Sequence, residues 1–496
     1  MPWIDRRGFL KRGGAAFGFA ALGPRCLFAA APGAFAAGRP NLVLGILSDI
    51  HVQLAGAAGE PETFYADGVL RKALEWFRDQ GADAVAICGD LADSGLVAEL
   101  DRVAQTWFSV FPDGKAPDGR SVEKLFVGGN HDWEGFLYGG YAKRRYGDGF
   151  MEHTVRSDFA GAWRKAFREE YSPVWCKTVK GYGFAGAHWT GDGYHGAAGW
   201  IAANAGSFDP SKPFFYLQHP PPKDTCHGPF VWGRDDGSTA VALSRFPNAI
   251  ALSGHSHASI GDERAIWQGA FTSIGAGSLR YTGLHYHDLR PAYRENDAIG
   301  GSAAEVAARL LRRMETGDGH QGILARVFDD RIVFERRDIA DMGSIGPDWV
   351  MPLPAPGNKP FAFASRAASC PAPEFPDGAA LSVRVAEAKN RGGRGVEQKS
   401  QKALEVTIPA ANRNGSGRVF DYAIEIAGAD GKAETRYMFA EGFHRSRESK
   451  RANSPSVFLV SAAGLAAKGD LKISVWPRNS FGRRGVPLAA VFGGLR

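Results

Sequence analysis

The stretch Asn41-Leu42-Val43-Leu44-Gly45-Ile46-Leu47-Ser48-Asp49-Ile50-His51 is an apolar run that stops abruptly at side chains able to bind metal. Short, unbroken and rich in branched residues, it has the pattern of a strand buried on both faces. The arrangement recurs along the chain. Ala82–Cys88 runs into Gly89-Asp90, and Lys124–Val127 leads to Gly129-Asn130-His131-Asp132. Pro213–Leu217 runs into Gln218-His219-Pro220, and Asn248–Ser253 into Gly254-His255-Ser256-His257. Helical patterns lie between them at Tyr65–Gln80, Val97–Val110 and Ser157–Glu170, the last with Phe159, Trp163 and Phe167 on one face. Tyr182–Trp189, Ala265–Ile274 and Gly322–Glu335 read as further strands, with a helix around Ala303–Met314. Strands alternating with helices from Asn41 to about Ile345 predict an α/β domain. Side chains at the carboxyl ends of such strands face the crevice where open α/β sheets bind ligands.

Taken singly, each block is weak, because Gly-Asp is commonly a turn and a lone His commonly packs or hydrogen-bonds. Five in order, each at a strand end, form a pattern. Asp, Asn and His offer oxygen and imidazole donors suited to Mn, Fe or Zn, and no thiolate takes part. Asp49-x-His51 and His255-x-His257 each place two ligands two residues apart, and the two oxygens of Asp90 can bridge two cations. Two ions about 3.5–4 Å apart hold a hydroxide and clamp a phosphoryl group for in-line attack.

These blocks resemble the calcineurin-like metallophosphoesterases over about Leu42–Ile274: Asp-x-His, Gly-Asp, Gly-Asn-His-Asp, His, then Gly-His-x-His, with no element missing. The resemblance implies a four-layer α-β-β-α fold with two packed mixed sheets. It implies one metal held by Asp49, His51, Asp90 and His257, and a second held by Asp90, Asn130, His219 and His255. His131 takes the role of the non-ligand histidine at the phosphoryl oxygen, which protonates the leaving group. Asp132 is expected to orient it by accepting its other N–H. The purple acid phosphatase branch has a tyrosine where this chain has Asp93, so a ferric-tyrosinate site is not expected; Asp93 reads as a turn or cap residue.

Around the site, residues 133–146 (WEGFLYGGYAKRRY) mix aromatics with three consecutive bases. Trp133, Tyr138, Arg144 and Arg145 are candidate contacts to an anionic substrate with a flat or apolar group. The alternative is a loop that packs its own aromatics. His188 is a candidate pocket wall, or a structural residue, and His227 in the loop after His219 is a candidate substrate contact beside Arg234 and Asp236. The expected reaction is phosphoester hydrolysis, leaning to a diester. The alternative is a phosphomonoesterase, and a remoter one is a binding protein whose metals are structural.

The remaining sequence supplies organisation. The chain has 496 residues, 44% hydrophobic and 23% charged, which excludes a disordered or fibrous protein. Residues 1–36 carry Arg6-Arg7-Gly8-Phe9-Leu10-Lys11, an apolar stretch and Ala34-Phe35-Ala36, the layout of a twin-arginine export signal. The twin-arginine translocon is thus an expected partner, and a bacterial periplasmic or extracellular location is expected. Pro24-Arg25 interrupts the apolar stretch short of the ~18–20 residues of a membrane span, and no other stretch is long enough. The leader holds five basic residues and one acid, so +4 of the formal +6 belongs to it. The nucleic-acid signal that bulk charge suggests largely goes with it. Eight prolines fall in residues 346–380, read as a linker between a catalytic domain (37–345) and a third region (381–496). That region alternates as a small β-sandwich, and Leu471–Gly482 resembles the last strands of a fibronectin type III module. The run His444–Arg451 reads as a solvated loop. No disulfide is expected among Cys88, Cys176, Cys226 and Cys370.

Overall fold

Both faces of the first strand are buried, as its unbroken apolar run requires. A computed structural model describes residues 38–493, apart from 191–198, 285–313, 390–399 and a few short gaps within 202–232 and 463–468. The expected export signal and nearly all of the expected helix around Ala303–Met314 lie outside the described residues.

Along the chain the strands are β1 (Leu42–Leu47), β2 (Gln53–Ala55), β3 (Thr63–Tyr65), β4 (Ala84–Cys88), β5 (Glu123–Val127), β6 (Val174–Val179), β7 (Tyr182–Ala187), β8 (Phe214–Leu217) and β9 (Ala249–Ser253). They continue as β10 (Ile266–Gln268), β11 (Thr272–Gly275), β12 (Thr282–Leu284), β13 (Met314–Thr316), β14 (Gln321–Val327), β15 (Arg331–Asp338), β16 (Gly343–Ser344) and β17 (Trp349–Pro352). The helices used below are α1 (Asp67–Asp79), α2 (Val97–Val110), α3 (Asn130–Glu134), α4 (Tyr141–Tyr146) and α5 (Phe159–Phe167).

Two mixed sheets result. The first has the order β16-β15-β14-β1-β4-β5, with β17 also on β15; the second runs β10-β11-β9-β8-β7-β6. Within the first, β1, β4 and β5 are parallel and β14 is antiparallel to β1. Alternation assigns the layers. Val43, Leu47, Val85 and Ile87 face α1, α2 and α5 on one side of the first sheet. Leu44, Ile46, Ala86 and Cys88 face Phe215, Leu217, Ile250 and Leu252 of the second sheet. The far side of that sheet packs Tyr216, Ala249 and Ala251 against Leu243 and Ile201. This is the four-layer α-β-β-α arrangement. Edge strands such as β6 and the β2–β3 hairpin escape a sequence reading because they are short and only partly buried.

The proline-rich stretch carries structure of its own: Trp349, Met351 and Phe361 lie in the core between the sheets. After it, β18 (Ser382–Lys389), β19 (Ser400–Ile408) and β22 (Ser456–Ser461) form one sheet. A second contains β20 (Asp421–Ala427), β21 (Ala433–Phe439), β23 (Leu471–Arg478) and β24 (Leu488–Phe492). Leu404, Val406, Ile424, Ile473 and Val475 share the core between these two sheets.

The run His444–Arg451 is not the solvated loop its charge suggests. Arg445 pairs with Asp338 at 2.6 Å and Asp318 at 3.0 Å, and Arg451 reaches Asp318 at 2.7 Å. The partners lie more than 100 residues away, beyond any local reading of the run. Cys88, Cys176, Cys226 and Cys370 are free, with Cys176 exposed and Cys226 buried. Among the described residues, no helix is long and apolar enough to cross a membrane.

Candidate metal centre

The five polar blocks converge where β1, β4 and β5 of one sheet and β8 and β9 of the other end. Three of the chain segments turn sharply there. Asp49, His51, Asp90, His255 and His257 have φ of +53°, +47°, +53°, +62° and +52°, in the left-handed region. Such backbone costs roughly 1–3 kcal/mol per residue and persists where surrounding structure imposes it, chiefly at functional sites. Two glycines make the crowding possible. A Cβ on Gly89 (φ +98°) would collide with the His219 ring, and one on Gly254 with Ser48 Oγ and Asp49 Oδ2.

The donors form two sets sharing one carboxylate: Asp49, His51, Asp90 and His257, and Asp90, His219 and His255. Asp90 Oδ2 is 3.0 Å from His219 Nε2 and 3.5 Å from His51 Nε2. Asp49 Oδ1 lies 2.7 Å from His257 Nε2, which is 3.2 Å from His51 Nε2. Outer partners fix the ring orientations. His219 Nδ1 faces the Cys88 carbonyl at 2.7 Å, His257 Nδ1 the Tyr281 carbonyl at 3.2 Å, and His51 Nδ1 the Asp93 carboxylate at 3.0 Å. With each Nδ1–H donated outward, each Nε2 turns its lone pair into the pit.

Asn130 Oδ1 is buried with no hydrogen-bond partner, and Asp49 Oδ1 and His219 Nε2 face only other members of the donor sets. A buried amide oxygen left unpaired beside clustered carboxylate oxygens and imidazole nitrogens fits cation binding, since such an orphan is otherwise costly. Electrostatics agree. Burial would raise the Asp90 carboxyl, but His219, His131 and His51 outweigh it and hold it well below its usual range. Burial would lower His51 and His219, yet the carboxylates beside them raise these rings to about 10 and about 9.

His131 sits at the rim. Its backbone N–H donates to Asp90 Oδ1 at 2.8 Å, and its Nδ1 is 2.6 Å from the Asp93 carbonyl. Asp132, expected to orient that ring, does something else. Its carboxylate accepts the backbone N–H groups of Leu91, Ala92 and Gly129 at 3.1, 2.8 and 2.7 Å. It thereby ties the loop after β4 to the start of α3. Asp93 is the residue the sequence undervalues, since its carboxylate orients His51 and its carbonyl orients His131.

The expected substrate contacts divide. Tyr138 is at the site: its ring centroid is 4.7 Å from that of His131, and Asn130 Nδ2 approaches its hydroxyl at 3.5 Å. Trp133 instead packs on Phe159, with the Arg156 guanidinium over its ring. Arg144 donates to the Gly139 carbonyl, and Arg145 to those of Gly56 and Ala57, so both cations are spent on loop backbone. His188 is buried behind the site, accepts the Gly128 N–H at 2.9 Å and packs on Trp163. Burial, then Lys177, pushes it down to about 3, so it stays neutral. His227 is buried 3.7 Å from Asp262, in a cavity it shares with Phe420, Phe439 and Phe443. Arg234 donates toward the Val231 carbonyl, and Asp236 accepts the Ser238 N–H at the start of a short helix. Arg280 and Tyr281 were missed. The Tyr281 ring is 4.3 Å from His257, and Arg280 Nη1 donates to the His51 carbonyl at 3.1 Å. They follow β11 in a loop with no metal-binding residue type to signal it.

Residues 42–259 match the family described as calcineurin-like phosphoesterase. No curated protein matches the sequence. Among solved structures, a dimetal phosphatase from Danio rerio is 12% identical, with TM-score 0.37 and coverage of 63% of this chain and 99% of that one. A purple acid phosphatase from yellow lupin (Lupinus luteus) seeds is 13% identical, with TM-score 0.39 and coverage of 63% and 54%. GAP50, the anchor in the inner membrane complex of Plasmodium, is 11% identical, with TM-score 0.33 and coverage of 63% and 88%.

Proposed function

Because residues 42–259 belong to the calcineurin-like phosphoesterase family, we propose that this protein is an exported, two-metal phosphodiesterase. The observation that carries the reading is the pair of donor sets joined by Asp90, with the buried Asn130 Oδ1 left without a hydrogen-bond partner. Cations of the Mn, Fe or Zn type bound there supply an activated water and neutralise charge during in-line displacement at phosphorus.

The chain's own residues do the rest. Asp90 and Asp49 set the negative charge that retains the cations. Asn130 directs its amide oxygen inward while its nitrogen approaches Tyr138, which orients the amide. His131, with its Nδ1–H donated to the Asp93 carbonyl, keeps Nε2 for the departing oxygen, to which it gives a proton from the imidazolium form and is left as the neutral Nδ1–H ring. A purely structural metal site has no use for such a rim histidine, which argues against the binding-protein alternative. The diester reading is supported by the aromatic residues beside the pit and by Arg144 and Arg145 being engaged elsewhere. Export rests on the leader sequence alone.

The test strips the protein with chelator and reloads it with Mn, Fe or Zn. Bis(4-nitrophenyl) phosphate is then compared with 4-nitrophenyl phosphate. A diester kcat/KM about tenfold or more above the monoester is expected, a difference of ~1.4 kcal/mol in barrier. An equal or higher monoester value overturns the diester assignment. A chain holding two ions but inert on both esters favours the binding protein. Replacing Arg6-Arg7 by a lysine pair is expected to retain the protein in the cytoplasm, and unchanged export would remove the twin-arginine reading.

A further inference from the structure

Four of the large apolar side chains exposed among the described residues lie in one cap beside the metal pit. Nine large hydrophobic residues stand out into solvent; Tyr65, Leu137, Tyr138 and Met151 belong to one cap, and the other five are valines. The cap joins the β2–β3 hairpin to the segment from Gly135 to His153. It has a small core of Leu54, Leu96, Phe136 and Ala142. The Tyr141 hydroxyl donates to the Gly56 carbonyl at 3.0 Å, closing one part on the other. The outward-facing residues are therefore not left over from an incomplete core. Apolar residues grouped beside a polar pit mark a ligand surface.

Ring contacts connect this surface to the metal centre. The centroid distances are 4.7 Å from Tyr138 to His131, 4.5 Å from His131 to His51, and 5.7 Å from His51 to Tyr281. Tyr65 joins the series through Arg280, whose guanidinium lies 6.0 Å from its ring and donates to the His51 carbonyl. The Tyr138 hydroxyl donates to Glu134 at 2.9 Å, which holds the ring at the rim while 43% of the residue stays exposed.

We propose that the cap binds the organic group of the phosphate ester and that this group is a flat apolar ring, aryl or heteroaryl. The inference rests on the phosphoester reading above. With phosphorus in the pit, a ring one ester bond away lies against Tyr138 and Leu137. Rigid aromatic surface binds such a ring through apolar burial and offset stacking. A methyl ester leaves that surface uncovered.

The experiment uses the full metal-loaded chain, with phenylphosphonate and methylphosphonate as non-hydrolysed probes in calorimetry and methyl 4-nitrophenyl phosphate as a turnover control. Phenylphosphonate is expected to bind about tenfold or more tightly than methylphosphonate. Tyr138→Ser and Leu137→Ser are each expected to reduce that ratio below about threefold, and Tyr138→Phe to keep it. A wild-type ratio near one, or a ratio untouched by both serine substitutions, overturns the inference, while turnover of the control leaves the phosphoester reading standing. Failure to hydrolyse the control with two ions bound overturns the phosphoester reading, and this inference with it.

Discussion

Asp90→Asn is expected to lower phosphoester turnover by about 10³-fold, roughly 4 kcal/mol of transition-state stabilisation, and to leave fewer than two ions per chain. Asp90 is the carboxylate common to both donor sets. Its Oδ2 faces His219 and His51, while its Oδ1 accepts the His131 N–H. Asparagine retains an oxygen for that N–H, so the loop that carries His131 keeps its anchor. What it removes is the negative charge and the second oxygen donor, and an NH₂ group pointed at imidazole nitrogens cannot bind a cation. Far-UV circular dichroism is therefore expected to stay the same while elemental analysis and turnover fall together. Full turnover with unchanged metal content would remove Asp90 from the centre of the site.

The second large effect is on stability. Glu263 stands between two buried guanidiniums: its Oε1 accepts from Arg336 Nη2 at 2.9 Å, and its Oε2 is paired with Arg366. Oε2 also accepts the Trp349 indole N–H at 3.1 Å. The Arg336 side chain is fully buried, and its Nη1 donates to the Ile260 carbonyl, three residues after His257. Glu263→Ala removes the carboxylate that both desolvated arginines share, a change that typically costs about 3–5 kcal/mol. The expected readout is a lower midpoint of chemical denaturation, with Glu263→Gln falling between the two.

The pH dependence has a definite sign. Burial would raise the Glu263 carboxyl, but Arg336 and Arg366 outweigh it and hold it below its ordinary 4.5. Its stabilisation is complete above that value and is lost as pH falls through the lower folded-state value. The gap between wild type and Glu263→Gln is thus expected to close below pH 4.5. A gap of less than ~1 kcal/mol at neutral pH, or one that widens in acid, would contradict the role given to this cluster.

Most of the strands that carry the site could be read before any coordinates were considered. β1, β4, β8 and β9 are buried on both faces, so their apolar runs are unbroken and their ends are sharp. The helix expected over Val97–Val110 has those bounds, since Leu100, Val103, Ala104 and Trp107 are buried at helical spacing. The outlying elements were less visible. The hairpin β2–β3 has three residues per strand, and its meaning comes from Tyr65 and from its contact with Tyr141 across more than eighty residues.

Residue type and strand position together mark the five blocks as candidate donors, because a ligand is recognised by its own chemistry and by the strand end it terminates. The family resemblance singles out Asp49, His51, Asp90, Asn130, His219, His255 and His257 within them, and the structure brings the six acidic and histidine donors to one pit. The partners of those partners were decided only by tertiary structure. Whether Asp132 or Asp93 serves His131 depends on which backbone groups the loop after β4 presents to α3. Arg144 and Arg145 turn to the hairpin's carbonyls, and the run around Arg445 meets Asp318 and Asp338. Hydrogen bonds and ion pairs of this kind form where distant segments pack, and the local sequence holds no record of that geometry.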